Sequence, residues 1–202
     1  MSKPLTIGVD FDNTLVCYDK SVLALAKRNF SVSERFKSKS EVKSYITDFY
    51  GNFAWTKFQG ELYGPGMEYA EPYENAVDTI SELSSLGVKI LILSHRSKHP
   101  YAGKKYDLHK YAKNWITKNL KFENQNTVKE TSAFFFEDKA EKIQAIKDNA
   151  CDFFLDDLIE IISSKDFPSE TTGILFDPEK KNKWSHCISN WKQLKKIVGV
   201  LP

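Results

Sequence analysis

The sequence predicts an α/β fold: a three-layer, Rossmann-like parallel sheet core, with a small, mostly helical segment inserted after strand 1. Three observations lead there. Apolar runs of strand length alternate with stretches of helical periodicity. The runs are continuous rather than alternately polar and apolar, as expected of strands covered on both faces. One gap between runs is far longer than a simple crossover needs.

The strand candidates are "LTIGVD" (Leu5–Asp10), "VKILILS" (Val88–Ser94), "AFFFED" (Ala133–Asp138), "CDFFLDD" (Cys151–Asp157) and "TGILFD" (Thr172–Asp177). Helical stretches lie between them. In "EPYENAVDTISELSSLG", Pro72 suits a first turn, Val77, Ile80, Leu83 and Leu86 share a face, and Gly87 suits the end. Leu108, Tyr111, Trp115 and Ile116 form a second apolar stripe, Ile143 and Ile146 mark a third helix, and Trp191, Leu194 and Ile197 a fourth. Strands and helices in this order imply right-handed crossovers and a parallel sheet.

The long gap follows strand 1. Its helix-like, aromatic-rich pieces are "KSVLALAKRNF", "SEVKSYITDFYGNF" and "AWTKFQGELYG", and "YGPGMEY" (Tyr63–Tyr69) reads as the return hinge. The expected division is therefore 1–15 and 71–202 for the α/β core and 16–70 for the inserted helical unit. Phe49, Tyr50, Phe53, Trp55, Phe58 and Tyr63 are expected to form mostly the small core of that unit, with one or two facing the site. Ser31–Ser44, rich in Ser, Lys and Glu, reads as an exposed helix-turn region.

Composition bounds the function. A chain of 202 residues has room for one good core with a small accessory unit, and 41% hydrophobic with 28% charged residues is a soluble globular balance. A net charge of +2 gives no argument for a nucleic-acid partner. Cys17, Cys151 and Cys187 are far apart with no C-x-x-C pair, which argues against a disulfide or zinc framework and suits a reducing compartment. The first residues lack a signal-peptide-like apolar stretch, and no run approaches a membrane span. The expectation is a cytoplasmic protein with no membrane partner; homo-oligomerisation stays open.

Three strand candidates end in paired acidic residues: Asp10 with Asp12, Glu137 with Asp138, and Asp156 with Asp157. In open α/β sheets ligands bind at the carboxyl ends of the strands. Carboxylates converging there repel one another, and a hard cation such as Mg²⁺ relieves the repulsion and in turn implies a phosphate. Ser94 ends the second strand and offers a hydroxyl to such a phosphate, and His95 and Arg96 follow it. Lys142 opens the helix before "FFLDD", where an ammonium can neutralise both a phosphoryl oxygen and a carboxylate.

The ordered set D-x-D-x-T, Ser, Lys, Asp-Asp resembles the haloacid dehalogenase-like (HAD) superfamily, most of whose members are phosphatases. "GVDFDNTLV" is similar to its first motif, "GVKILILSHRS" to its second, and "KIQAIKDNACDFFLDDL" to its third and fourth combined, with Lys142 fourteen residues before Asp156. The inserted helices stand where the family places a C1-type cap. The resemblance implies Asp10 as nucleophile and Asp12 as general acid and base. It implies Thr14 as a loop support, Ser94, with His95 beside it, and Lys142 as phosphate-binding residues, and Mg²⁺ held by Asp10, the backbone carbonyl of Asp12, and Asp156 or Asp157. The implied activity is Mg²⁺-dependent hydrolysis of a small phosphorylated metabolite, a sugar phosphate or nucleotide, through an aspartyl-phosphate. Asn13 stands where many family members have Gly.

Blander roles compete. Asp10 and Asp12 alone fit a turn, Ser94 a cap, and Asp157 the cap of the following helix, so Asp156 is the favoured metal ligand. Lys139 competes with Lys142 for the third motif, and spacing favours Lys142. Glu137 and Asp138 read as a solvated turn, and the basic loop from Arg96 to Lys110 either lines the mouth or is merely exposed. Two other functions stay open: a phospho-accepting switch, which also uses acidic residues, a Ser or Thr and a Lys, and a non-catalytic HAD-like binding module.

Overall fold

The computed structural model describes residues 3–30, 36–120 and 132–199. Residues 31–35 of the predicted helix-turn region lie outside that range. The main sheet has six strands: β1 (Thr6–Val9), β4 (Lys89–His95), β5 (Ala133–Phe136), β6 (Phe153–Asp156), β7 (Thr172–Phe176) and β8 (Cys187–Ile188), in the order β5-β4-β1-β6-β7-β8 and parallel at every pairing. All five predicted strands are present, and β8 adds a sixth too short to carry a periodic signal.

Alternation along the strands builds two apolar layers. On one face Ile7, Val9, Ile90, Ile92, Leu155, Ile174 and Phe176 pack with residues of α3 (Ala76–Ser85), α4 (Leu108–Asn119) and α7 (Leu194–Ile197). On the other, Leu91, Leu93, Phe154 and Leu175 pack with Ile143 and Ile146 of α5 (Lys139–Asp148) and Ile161 and Ile162 of α6 (Ile159–Ile162). This is the three-layer arrangement the continuous apolar runs require. Gly8 matters to it. A Cβ there would sit 2.5 Å from Cδ2 of the fully buried Phe154 ring on neighbouring β6, so hydrogen is the only side chain that fits.

Between β1 and β4 the chain forms β2 (Val16–Cys17), α1 (Asp19–Phe30), α2 (Lys39–Tyr63), a 3₁₀ turn (Pro65–Glu68) and β3 (Glu71–Pro72). β2 and β3 pair antiparallel, Val16 opposite Pro72 and Cys17 opposite Glu71, so the chain leaves and returns through one two-stranded neck. Pro72 therefore lies in this neck and not in the first turn of α3, which begins at Ala76. A residue without an N–H fits the end of a short strand where no ladder bond is needed. Leu86 falls beyond α3 and is exposed, unlike Ile80 and Leu83.

α1 and α2 share an apolar core that is continuous with one face of the main sheet, through Val22, Leu25, Val42, Ile46, Phe58 and Leu62. α2 breaks at Gly51 (φ 82°, ψ 167°), a conformation that costs glycine little. The two helix-like pieces read from sequence join between Phe53 and Ala54, three residues past this break. Because it interrupts the helical face, Phe49, Tyr50 and Phe53 turn outward (71%, 50% and 74% exposed), whereas Trp55 and Phe58 are buried. The expected aromatic core is thus only its C-terminal half. Among the described residues no helix is long and apolar enough to cross a membrane.

Candidate active site

β1 is the central strand, and Asp10 stands just past its end, its N–H bonded to the Leu155 carbonyl of β6 (2.8 Å). The chain then folds back within a few residues. The N–H groups of Leu15 and Val16 both reach the Phe11 carbonyl (3.1 and 3.0 Å), and Asn13 donates to the Val16 carbonyl (3.1 Å). Asn13 is in the left-handed region (φ 62°), where Asn is among the better tolerated non-glycine residues, so it can replace a glycine here. Phe11 anchors the turn, packed edge-on against Trp115 and Phe135.

Three chain segments bring charge together at this point. Lys142, in the first turn of α5, is buried with its Nζ 2.6 Å from Asp10 Oδ1 and 2.6 Å from Asp156 Oδ2. The other Asp156 oxygen accepts from the Leu158 N–H (2.9 Å). Thr14 Oγ1 donates to Asp157 Oδ1 (3.4 Å). Asp10, Asp156 and Asp157 each present a carboxylate oxygen within 4.8 Å of the others. Asp156 and Asp157 both belong to the cluster, so geometry does not separate them as ligands. Lys139, in contrast, is exposed and pairs with Glu160 (2.6 Å), so of these two lysines only Lys142 contacts the carboxylate cluster. Asp138 caps α5 through the Ala140 N–H (2.6 Å).

Crowding shows in the proton affinities. Burial, opposed by Lys142 and reinforced by Asp156, raises the Asp10 carboxyl to about 7. Burial and then the charges of Asp10 and Asp156 push Asp157 well above the usual carboxylate range. Burial alone would lower the Lys142 ammonium, but the adjacent Asp10 and Asp156 outweigh it and hold it charged. Three carboxylates and one ammonium carry a formal charge of −2, and the donors are all hard oxygens, so a divalent cation of the Mg²⁺ type fits this set.

Ser94, at the end of β4, is fully buried, and its Oγ is the sole buried side-chain polar atom among the described residues with no hydrogen-bond partner. An unpaired buried hydroxyl costs roughly 1–3 kcal/mol, so it favours an external acceptor. His95 points to the opposite face of the strand, where its ring Nε2 meets the Glu137 carbonyl (3.1 Å). The structure does not bring His95 to the carboxylate cluster, a consequence of the two-residue repeat that sends Ser94 inward.

Asp12 lies apart from the three clustered carboxylates. Arg96, 4% exposed, reaches both its oxygens through Nη1 (2.6 and 2.8 Å), and the buried Tyr18 hydroxyl donates to Oδ1. Two residues of the inserted α2 meet this group: Lys39, which the sequence left unassigned, and Tyr63, one of the aromatics of which one or two were expected to face the site. Lys39 Nζ donates to Asn13 Oδ1 (2.7 Å) and contacts the Tyr63 hydroxyl (3.0 Å), and the Tyr63 ring stacks edge-on with Tyr18. A cavity of about 430 Å³ opens beside this group, lined by Asn13, Tyr18, Lys39, Lys43, Tyr73 and Asp157 among others. In the basic loop, His99 and His109 are tied to the backbone at Tyr106 (2.9 Å) and Arg96 (2.7 Å), so neither histidine belongs to the carboxylate cluster.

The order of strands and the helices on both faces define a Rossmann-like three-layer α/β fold, with the carboxylates at the strand ends. The chain has the fold of the haloacid dehalogenase-like hydrolases. A HAD-like family hydrolase of Streptococcus pneumoniae superposes with a TM-score of 0.63 at 11% identity, over 96% of this chain and 98% of that one. The HAD-hydrolase YfnB of Bacillus subtilis, solved bound to magnesium, gives 0.61 at 12% identity, over 98% and 99%. A predicted phosphatase of Clostridium acetobutylicum gives 0.59 at 13% identity, over 99% and 100%. No protein-family model matches the sequence, and no curated protein matches it significantly.

Proposed function

We propose that the chain is a Mg²⁺-dependent phosphomonoesterase acting on a small phosphorylated metabolite, a sugar phosphate or nucleotide, through an aspartyl-phosphate on Asp10. The observation that carries this reading is the grouping of Asp10, Asp156, Asp157 and Lys142 at the carboxyl ends of β1 and β6, together with the orphaned, buried Ser94 hydroxyl near the carboxyl end of β4, which pairs with β1. Phosphoryl transfer asks mainly for positioning and charge neutralisation, and this group supplies both.

Lys142 occupies Oδ1 of Asp10, so Oδ2 is the attacking oxygen. An O–P bond forms as the bond from phosphorus to the leaving oxygen breaks, and Asp12 delivers its proton to that oxygen. Asp12 then takes a proton from water, the water oxygen bonds to phosphorus, and the Asp10 carboxylate is released with inorganic phosphate. Ser94 Oγ and Lys142 Nζ hold the transferring group. Thr14 keeps Asp157 in place. Asp10, Asp156, Asp157 and the Asp12 carbonyl would hold Mg²⁺, which when bound neutralises phosphoryl charge and aligns the group. Residues 16–70 act as a C1-type cap. Support for that comes from the β2–β3 neck and from Lys39 and Tyr63, which reach the cavity side of the site. The cavity of about 430 Å³ beside the site is of a size that suits a small molecule.

The test is phosphate release from a panel of sugar phosphates, nucleotides and small acid phosphates, in Mg²⁺ and in EDTA, for the native chain and Asp10→Asn. Release that requires both Mg²⁺ and Asp10 is the expected result. A stable phosphoprotein without release would favour a phospho-accepting switch. No release and no labelling would favour a non-catalytic binding module.

A further inference from the structure

We propose that Arg96 is a positioning residue that aims the Asp12 carboxyl at the leaving group. The inference rests on the phosphatase reading, in which Asp12 transfers the proton. Arg96 is fixed at every polar atom. Nη1 bridges both Asp12 oxygens, Nη2 donates to the Tyr63 carbonyl (2.6 Å), and Nε donates to the Leu108 carbonyl (3.3 Å). Its backbone is held as well, the N–H by the Phe136 carbonyl (2.7 Å) and the carbonyl by His109 Nε2 (2.7 Å). The guanidinium carbon also lies over two aromatic rings, 5.7 Å from the Phe11 centroid and 5.2 Å from that of Tyr63. A buried arginine with this many constraints is a rigid support, and its planar fork is what lets one residue serve Asp12, Tyr18, Tyr63 and Leu108 together.

The arrangement is asymmetric at Asp12. Oδ1 receives Arg96 and Tyr18, whereas Oδ2 receives only the shared Arg96 nitrogen. Oδ2 therefore keeps the larger unused hydrogen-bonding capacity. Without Arg96, Asp12 would keep only Tyr18 and would rotate about its side-chain bonds. Tyr63 belongs to the inserted α2 and Leu108 to α4, which packs on the main sheet, so the same guanidinium ties the orientation of the acid to both.

A merely structural arginine would affect all substrates alike, and an acid-positioning one would not. The experiment compares kcat/KM for an alkyl phosphate, whose leaving oxygen needs a proton, and for p-nitrophenyl phosphate, whose leaving group departs without one. That ratio covers only steps up to leaving-group departure. General acid catalysis is worth roughly 10²–10⁴-fold. Arg96→Gln is therefore expected to lower kcat/KM for the alkyl phosphate by about 10²-fold or more, and that loss should exceed the loss on p-nitrophenyl phosphate by at least about 10-fold. Arg96→Lys keeps the charge without the fork and should show the same bias at smaller amplitude; it carries the test if the Gln variant does not fold. Equal losses on both substrates, or no loss, overturn the assignment while leaving the phosphatase reading intact. Absence of turnover of either substrate by the native chain overturns both.

Discussion

Replacing Lys142 by Met removes one ammonium from between two buried carboxylates while keeping a side chain of similar length. Each Lys142 contact is 2.6 Å long. At an effective dielectric constant of about 20, each is worth on the order of 6 kcal/mol before desolvation. Desolvation offsets much of that, and breaking a buried ion pair by deleting one partner typically costs about 3–5 kcal/mol. An independent bound agrees. A stranded carboxylate can escape by binding a proton, which at pH 7 costs about 4 kcal/mol. The expected destabilisation of Lys142→Met in EDTA is thus about 3–5 kcal/mol. In urea that is a fall in midpoint of about 2 M, since slopes run near 1–3 kcal/mol per M. Mg²⁺ should return part of the loss, because a cation on the native carboxylates stabilises by mass action, by about 2.7 kcal/mol at a hundred times its Kd. Urea melts of both proteins in EDTA and in Mg²⁺ measure all of this. A Lys142→Met loss below about 1 kcal/mol in EDTA would refute the buried triad as the organising contact of the site.

Two other substitutions probe the frame around that site. Gly8→Ala forces a Cβ against the buried Phe154 ring and should cost about 1–3 kcal/mol. At roughly 2–4 °C per kcal/mol for a chain of this size, calorimetry resolves it, and an unchanged Tm would show that β1 and β6 do not pack as described. Lys39→Met removes the cation on the wall of the cavity beside Asn13. It should raise KM about 10-fold with kcat changed by less than about 3-fold, the pattern for a group that binds substrate equally in ground and transition states. A collapse of kcat at unchanged KM would place Lys39 in the chemistry instead.

The sheet was legible because its strands are buried on both faces and so read as unbroken apolar runs, and their carboxyl ends carry the Asp10, Ser94 and Asp156 signals directly. Lys142 was legible for a related reason: its spacing from Asp156 fits a helix leading into a strand. What the sequence hid is what depends on long-range packing. Two-residue strands such as β2, β3 and β8 have no period to detect, which is why Pro72 read as a helix start. Lys39 sits in a stretch of Ser, Lys and Glu and looks like any solvated lysine until α2 folds it back onto Asn13. Tyr18 and Tyr63 carry no sign of their partners. Arg96 stood out only by following Ser94, and nothing local showed that it would pair with Asp12, 84 residues earlier. Aromatic content likewise says nothing of direction. Phe49 and Phe53 are as apolar as Phe58, but the turn at Gly51 sends them to the surface.

The central claim is that Asp10 carries the phosphoryl group, and the most direct measurement is to catch it there. The native chain is mixed with its best substrate in Mg²⁺, quenched in acid within the first turnover, digested and analysed by mass spectrometry, with Asp10→Asn treated in parallel. The account predicts a phosphoryl adduct on the peptide containing Asp10, formed and lost at rates consistent with turnover and absent from the variant. Turnover with the adduct on another residue, or undiminished turnover by Asp10→Asn, would contradict it.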